Sequence, residues 1–137
     1  MKLFIASMLM SLVLAGFPCQ AEIPPLTPLR ERVQRYHRYF SQHRYDLMWK
    51  MSSQDLRKKN GYDEKGYVQQ FREYGFGKVQ ATILNIDLDV DRARVRVKLI
   101  VWSKPDKKWF TEVEDEVWIF EKGQWFFEDH RVAESVG

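Results

Sequence analysis

Ile83-Leu84-Asn85-Ile86-Asp87-Leu88-Asp89-Val90 is apolar at every second position from Leu84 to Val90, with Asn85, Asp87 and Asp89 between. A period of two marks a half-buried strand. The alternation resumes at Ala93, with Val95, Val97, Leu99 and Val101 set against Arg94, Arg96 and Lys98. The two segments read as an antiparallel hairpin, closed by a two-residue or a four-residue loop around Asp91. Either loop pairs apolar with apolar residues and sets the acidic row against the basic row. Each opposite-charge pair contributes roughly 0.2–1 kcal/mol. A one-residue slip would turn the apolar row to water, so the register is strongly specified.

Downstream, Pro105 to Lys108 makes a second turn and residues 109–120 a third strand. Lys122-Gly123 is a tight hairpin turn, followed by a fourth strand over residues 125–129. In this last hairpin Phe120 faces Trp125, Ile119 faces Phe126 and Val117 faces Glu128. Continued pairing brings Asp115 opposite His130.

Upstream the period is that of a helix. Leu29, Val33, Tyr36 and Phe40 form one stripe of an amphipathic helix over residues 27–43. Thr27 is placed to cap it, with Pro28 at the first helical position. A short helix over residues 45–51 carries Leu47, Met48 and Met51 for burial. Ser52-Ser53 interrupts it, and Asn60-Gly61 is a breaker. Asp63 caps a further helix with Tyr67, Phe71 and Tyr74 on one face, ended by Gly75 and Gly77. Helices followed by an antiparallel meander predict an α+β fold, with the helices packed in the concave face of a curved sheet.

In this order of elements the chain resembles the nuclear transport factor 2-like superfamily, the cystatin-like cone folds. The resemblance is carried by residues 27–43, by Tyr45-Asp46-Leu47-Met48-Trp49, and by Gly66-Tyr67-Val68-Gln69-Gln70-Phe71. The closing Phe120-Glu121-Lys122-Gly123-Gln124-Trp125-Phe126-Phe127 hairpin completes it. It implies a cone with a pocket between sheet and helices, and dimers formed through the sheet. The superfamily includes isomerases, dehydratases, hydrolases, secretion-system scaffolds and non-catalytic binding domains, so fold alone does not name a function.

The 137 residues, 45% apolar and 30% charged, suit one globular domain and exclude a disordered chain. A net charge of +3 does not make a nucleic-acid polyelectrolyte. Lys2 followed by an apolar run from Leu3 to Phe17 reads as a secretory signal, with cleavage after Ala21. As a helix the run is about 22 Å long, short of a ~30 Å hydrocarbon core. Residues 22–137 then form a single exported domain, periplasmic or secreted, that meets a membrane only through its signal and does not meet nucleic acid. Cys19, the only cysteine, leaves with the signal, so disulfides and thiolate chemistry are not expected.

The candidate catalytic pair is Asp115 with His130. A carboxylate on an imidazole fixes its tautomer and raises its basicity. Tyr36, Trp49, Tyr67 and Trp102 are candidates for lining a pocket for a small apolar ligand. Trp118, Phe120, Trp125 and Phe127 share one face of the last hairpin, which predicts a sheet-mediated homodimer or protein interface. His37 and His43 fall on different helix faces, so no metal site is expected, and no motif calls for a cofactor. The preferred reading is an exported, non-catalytic binding or assembly module. A small isomerase, dehydratase or hydrolase using the Asp/His pair is the alternative.

Overall fold

The computed structural model describes residues 26–61 and 63–136. The expected signal, its cleavage point and the proline-rich lead-in as far as Pro25 lie outside the described residues. Among the described residues, four helices precede a four-stranded antiparallel sheet, and they pack against its curved inner face. The α+β expectation therefore holds.

Helix α1 (Leu26–Ser41) buries Leu29, Val33, Tyr36 and Phe40, as its stripe requires, and adds His37 to that face. The helix already includes Leu26, so Thr27 lies in its first turn rather than capping it. Helix α2 (Tyr45–Lys50) buries Tyr45, Met48 and Trp49. Helix α3 (Gln54–Asn60) occupies a span that the sequence reading left between two breaks. Ser53 is its cap, the hydroxyl accepting the Leu56 N–H at 3.1 Å. Gly61, at φ 67°, ends it in the left-handed conformation. Asp55 in the first turn and Arg57, Lys58 and Lys59 in the last complement the helix dipole. Those signals were present in the sequence beside the two breakers. Helix α4 (Glu64–Tyr74) starts as expected, with Asp63 accepting the Gly66 N–H at 2.8 Å, and ends at Gly75.

The strands β1 (Phe76–Asp89), β2 (Arg92–Ser103), β3 (Lys108–Glu121) and β4 (Gln124–Val136) follow one another as a meander. Asp89 pairs with Arg92, so the first hairpin uses the two-residue loop. Asp89, Asp87 and Asn85 stand opposite Arg92, Arg94 and Arg96. The apolar row is less regular than its sequence. Ile83 pairs with Val97 but Asn85 with Arg96, which leaves Leu84 in a bulge. Leu84 is therefore exposed, as are Leu88 and Val90 toward the turn, while Ile86 is half-buried opposite Val95.

A second bulge changes the last hairpin. Trp118 pairs with Phe127 as the tight turn dictates, but Val117 pairs with Asp129, so Glu128 is the extra residue. Just before it, the segment joining α2 to α3 grips the outer edge of β4. The Ser53 N–H donates to the Phe127 carbonyl at 2.8 Å, and the Phe127 N–H donates to the Met51 carbonyl at 2.9 Å. That pairing also covers part of an edge that would otherwise be open.

The inner face carries Val95, Val97, Trp118, Trp125 and Phe127, all buried with Leu29 and Val33 of α1. Phe127 stacks on Tyr36 at 4.7 Å between ring centroids, and Trp118 meets Tyr36 edge-on at 5.5 Å. The expected interface of Trp118, Phe120, Trp125 and Phe127 is thus corrected. Trp118 and Trp125 are 0% and 1% exposed, and Phe120 packs half-buried against the same core. Sequence parity separates the two faces of the hairpin but does not say which one meets the helices. The larger rings bury more area and take the inside. Val113, Val117 and Ile119 are left on the outer face.

Candidate functional site

Between the helices and the inner sheet face lies a cavity of about 690 Å³ to which every element contributes. Its floor is closed by Tyr36, His37, Met48 and Glu116, all buried. Lys59, Tyr74, Asp129 and His130 are exposed and stand at its mouth. Glu112 and Glu114, half-buried, run between floor and mouth along β3.

The alternation of β3 explains the acidic wall. Glu112, Glu114 and Glu116 share parity with Trp118, whose side chain is inside. Glu116 is 1% exposed and is held from both sides. Its Oε1 accepts the Trp118 Nε1–H at 3.0 Å, and its Oε2 lies 2.6 Å from His37 Nε2. The imidazole is turned so that this second contact is a close polar pair rather than an aligned hydrogen bond, and His37 Nδ1 has no hydrogen-bond partner among the described residues. A carboxylate buried without such partners would cost several kcal/mol.

Tyr36 and Tyr67 adjoin the pair. Burial raises the Tyr36 phenol well above its usual range, and the nearby Tyr67 and Glu116 add to the effect. Burial pushes Tyr67 up to about 12, against hydrogen bonds with Tyr36 and Ser52 that act the other way. Both phenols are neutral at physiological pH. At the mouth, the neighbouring Glu114 carboxylate raises His130 above the ordinary histidine range, with desolvation opposing. Its Nδ1 is 3.6 Å from Glu114 Oε1.

The expected Asp115–His130 pair is not formed. Asp115 stands opposite Arg131 and His130 opposite Glu116. The Glu128 bulge shifts β4 by one residue, and a one-residue shift moves a side chain to the other face. Asp115 faces outward in a two-pronged ion pair with Arg96, at 2.9 and 3.1 Å. The Arg96 hydrogen bond holds its carboxyl below the usual range.

Of the four expected ligand residues, Tyr36 and Tyr67 line the cavity. Trp49 is buried behind Tyr67, with ring centroids 5.1 Å apart and the Arg57 guanidinium over its face. Trp102 is on the outer face, 5.4 Å from Trp109, and Gly77 lies against it. A Cβ at Gly77 would come within 2.7 Å of the indole. His37 and Glu116 were missed as a pair. Their signal was weak: a histidine one place after Tyr36 on the buried helix face, and a glutamate in phase with Trp118. No group of acidic, histidine or cysteine side chains among the described residues has the arrangement of a metal site.

No protein-family model and no curated protein matches the sequence. Solved structures do share the fold. A SEC-C motif-containing protein from Rhodopseudomonas palustris superposes with a TM-score of 0.59 over 75% of this chain and 77% of its own, at 12% identity. A protein from Kribbella flavida gives a TM-score of 0.57 over 80% of this chain and 91% of its own, at 15% identity. At such identities the likeness is one of fold.

Proposed function

We propose that this protein is a non-catalytic binding module that holds a small molecule with an apolar body in the cavity between its helices and sheet. The observation that carries this reading is the cavity itself. Its volume of about 690 Å³ falls in the range of small-molecule sites, and aromatic rings alternate there with a few polar groups. Membership of the nuclear transport factor 2-like superfamily belongs to the same proposal, supported by the order of helices and meander. So does export, supported by the apolar stretch from Leu3 to Phe17. No helix among the described residues is long and apolar enough to cross a membrane. Self-association through the sheet is part of the reading too. Its surface would be the outer face around Trp102 and the exposed Trp109, since the inner aromatics are occupied.

A neutral fluorescent probe, N-phenyl-1-naphthylamine, tests the binding reading. One equivalent should bind with a blue-shifted emission, and Gln70→Trp, on the cavity wall, should weaken it at least tenfold. Absence of saturable binding in the wild type would overturn the reading.

A second reading is favoured by the close His37–Glu116 contact. A buried imidazole beside a carboxylate is a general-base arrangement, in a cavity that also holds a neutral phenol. It replaces the Asp115–His130 pair as the route to isomerase, dehydratase or hydrolase chemistry. Turnover of enone, epoxide or ester substrates that is lost in His37→Phe and kept in Asp115→Asn would select it over simple binding.

A further inference from the structure

We propose that the ligand of this cavity is a small organic cation, an ammonium group on an apolar or aromatic body. This rests on the binding reading and narrows it to a chemical class. Among the described residues, four carboxylates line the cavity, Glu112, Glu114, Glu116 and Asp129, against the one ammonium of Lys59. Lys59 is at the mouth and 70% exposed, 3.8 Å from Asp129, so it offsets the outermost charge and leaves the interior acidic. Glu112 has no ion-pair partner among the described residues.

The acidic wall does not stand alone. His37 is 7% exposed, lines the cavity, and has no hydrogen-bond partner at Nδ1 among the described residues. An imidazole nitrogen without a hydrogen-bond partner can accept from an ammonium N–H. The opposite walls are rings. Tyr67, Phe71, Tyr74 and Phe76 present aromatic surface across from the glutamates. A cation between ring faces and carboxylates gains from both, and more so when partly desolvated. An anionic ligand would meet the glutamates unscreened. A neutral one would leave their charge unused.

Benzylamine, benzyl alcohol and benzoate form a set of nearly equal size, cationic, neutral and anionic at pH 7. Calorimetric titration of the full protein should show benzylamine binding at least tenfold more tightly than benzyl alcohol, with no binding of benzoate. Glu112→Gln and the Glu112→Gln/Glu114→Gln double variant should each reduce that preference, the double variant to less than threefold, without lowering the melting temperature enough to unfold the protein at the assay temperature. Equal binding of the amine and the alcohol, or an unchanged preference in a folded double variant, would overturn the cation assignment and leave the cavity reading standing. Binding of none of the three, together with failure of the naphthylamine probe, would overturn both.

Discussion

His130 lies across the β3–β4 ladder from Glu116, one residue away from the Asp115 that the tight turn alone would give it. The single extra residue at Glu128 makes that difference. It turns His130 from the outer face toward the mouth of the cavity, into the field of Glu114, Glu116 and Asp129. It leaves Asp115 outside with Arg96.

The pH behaviour of His130 follows from this placement. Its folded pKa is raised, chiefly by Glu114. A raised histidine contributes stability that is fully present below its unfolded pKa of about 6.5 and is lost as pH rises through the folded value. His130→Gln should therefore cost most below about pH 6.5 and least at alkaline pH. Deprotonation also makes the mouth more acidic, so an ammonium probe that stays charged should bind more tightly as pH rises through the same window. The other charges facing His130 are Glu114, Glu116 and Asp129, with Lys59 beside Asp129. NMR titration of the His130 ring would refute this if its pKa fell at or below the ordinary value.

The His37–Glu116 pair is structural whatever else it does. Glu116→Ala should destabilise the fold by about 1–3 kcal/mol, because it leaves the buried Trp118 N–H and the buried imidazole without their partner. Replacing both residues by leucine should cost much less than Glu116→Ala. Urea denaturation of the two variants measures the difference, and equal losses would contradict the account.

Asp115→Asn separates the outer ion pair from the cavity. The pair with Arg96 is at the surface, so its loss should cost no more than about 1 kcal/mol. Probe binding should be unchanged. A tenfold loss of binding in this variant would bring Asp115 back as a site residue.

Val90 adopts φ 53° in the first hairpin turn and is 78% exposed. A β-branched residue is strained there, and it packs on little. Val90→Gly should stabilise the protein by about 0.5–1 kcal/mol, seen as a rise in Tm. A fall in Tm would show that Val90 makes a contact worth more than the strain.

Trp109 is 50% exposed beside Trp102 on the outer sheet face. If copies associate through the sheet, sedimentation equilibrium should give a dimer for the wild type and a monomer for Trp109→Arg. A wild type that stays monomeric at high concentration ends that reading.

What the sequence by itself determined is local. Leu29, Val33, Tyr36 and Phe40 recur at the helical period, Asp63 and Gly75 bracket α4, and Val95, Val97 and Leu99 alternate with Arg94, Arg96 and Lys98. Each is set by neighbours a few residues apart, through rise, pleat and capping. The turns at Asp91 and Lys122-Gly123 are of the same kind. Tertiary structure alone decided the rest. The bulge at Leu84 interrupts the first ladder, and the bulge at Glu128 follows the residue by which Met51 and Ser53 grip β4. The sheet face that turns inward is settled by which side the helices cover. The meeting of His37 with Glu116, 79 positions along the chain, needs both, because period fixes a side chain's face but only packing fixes what stands opposite it.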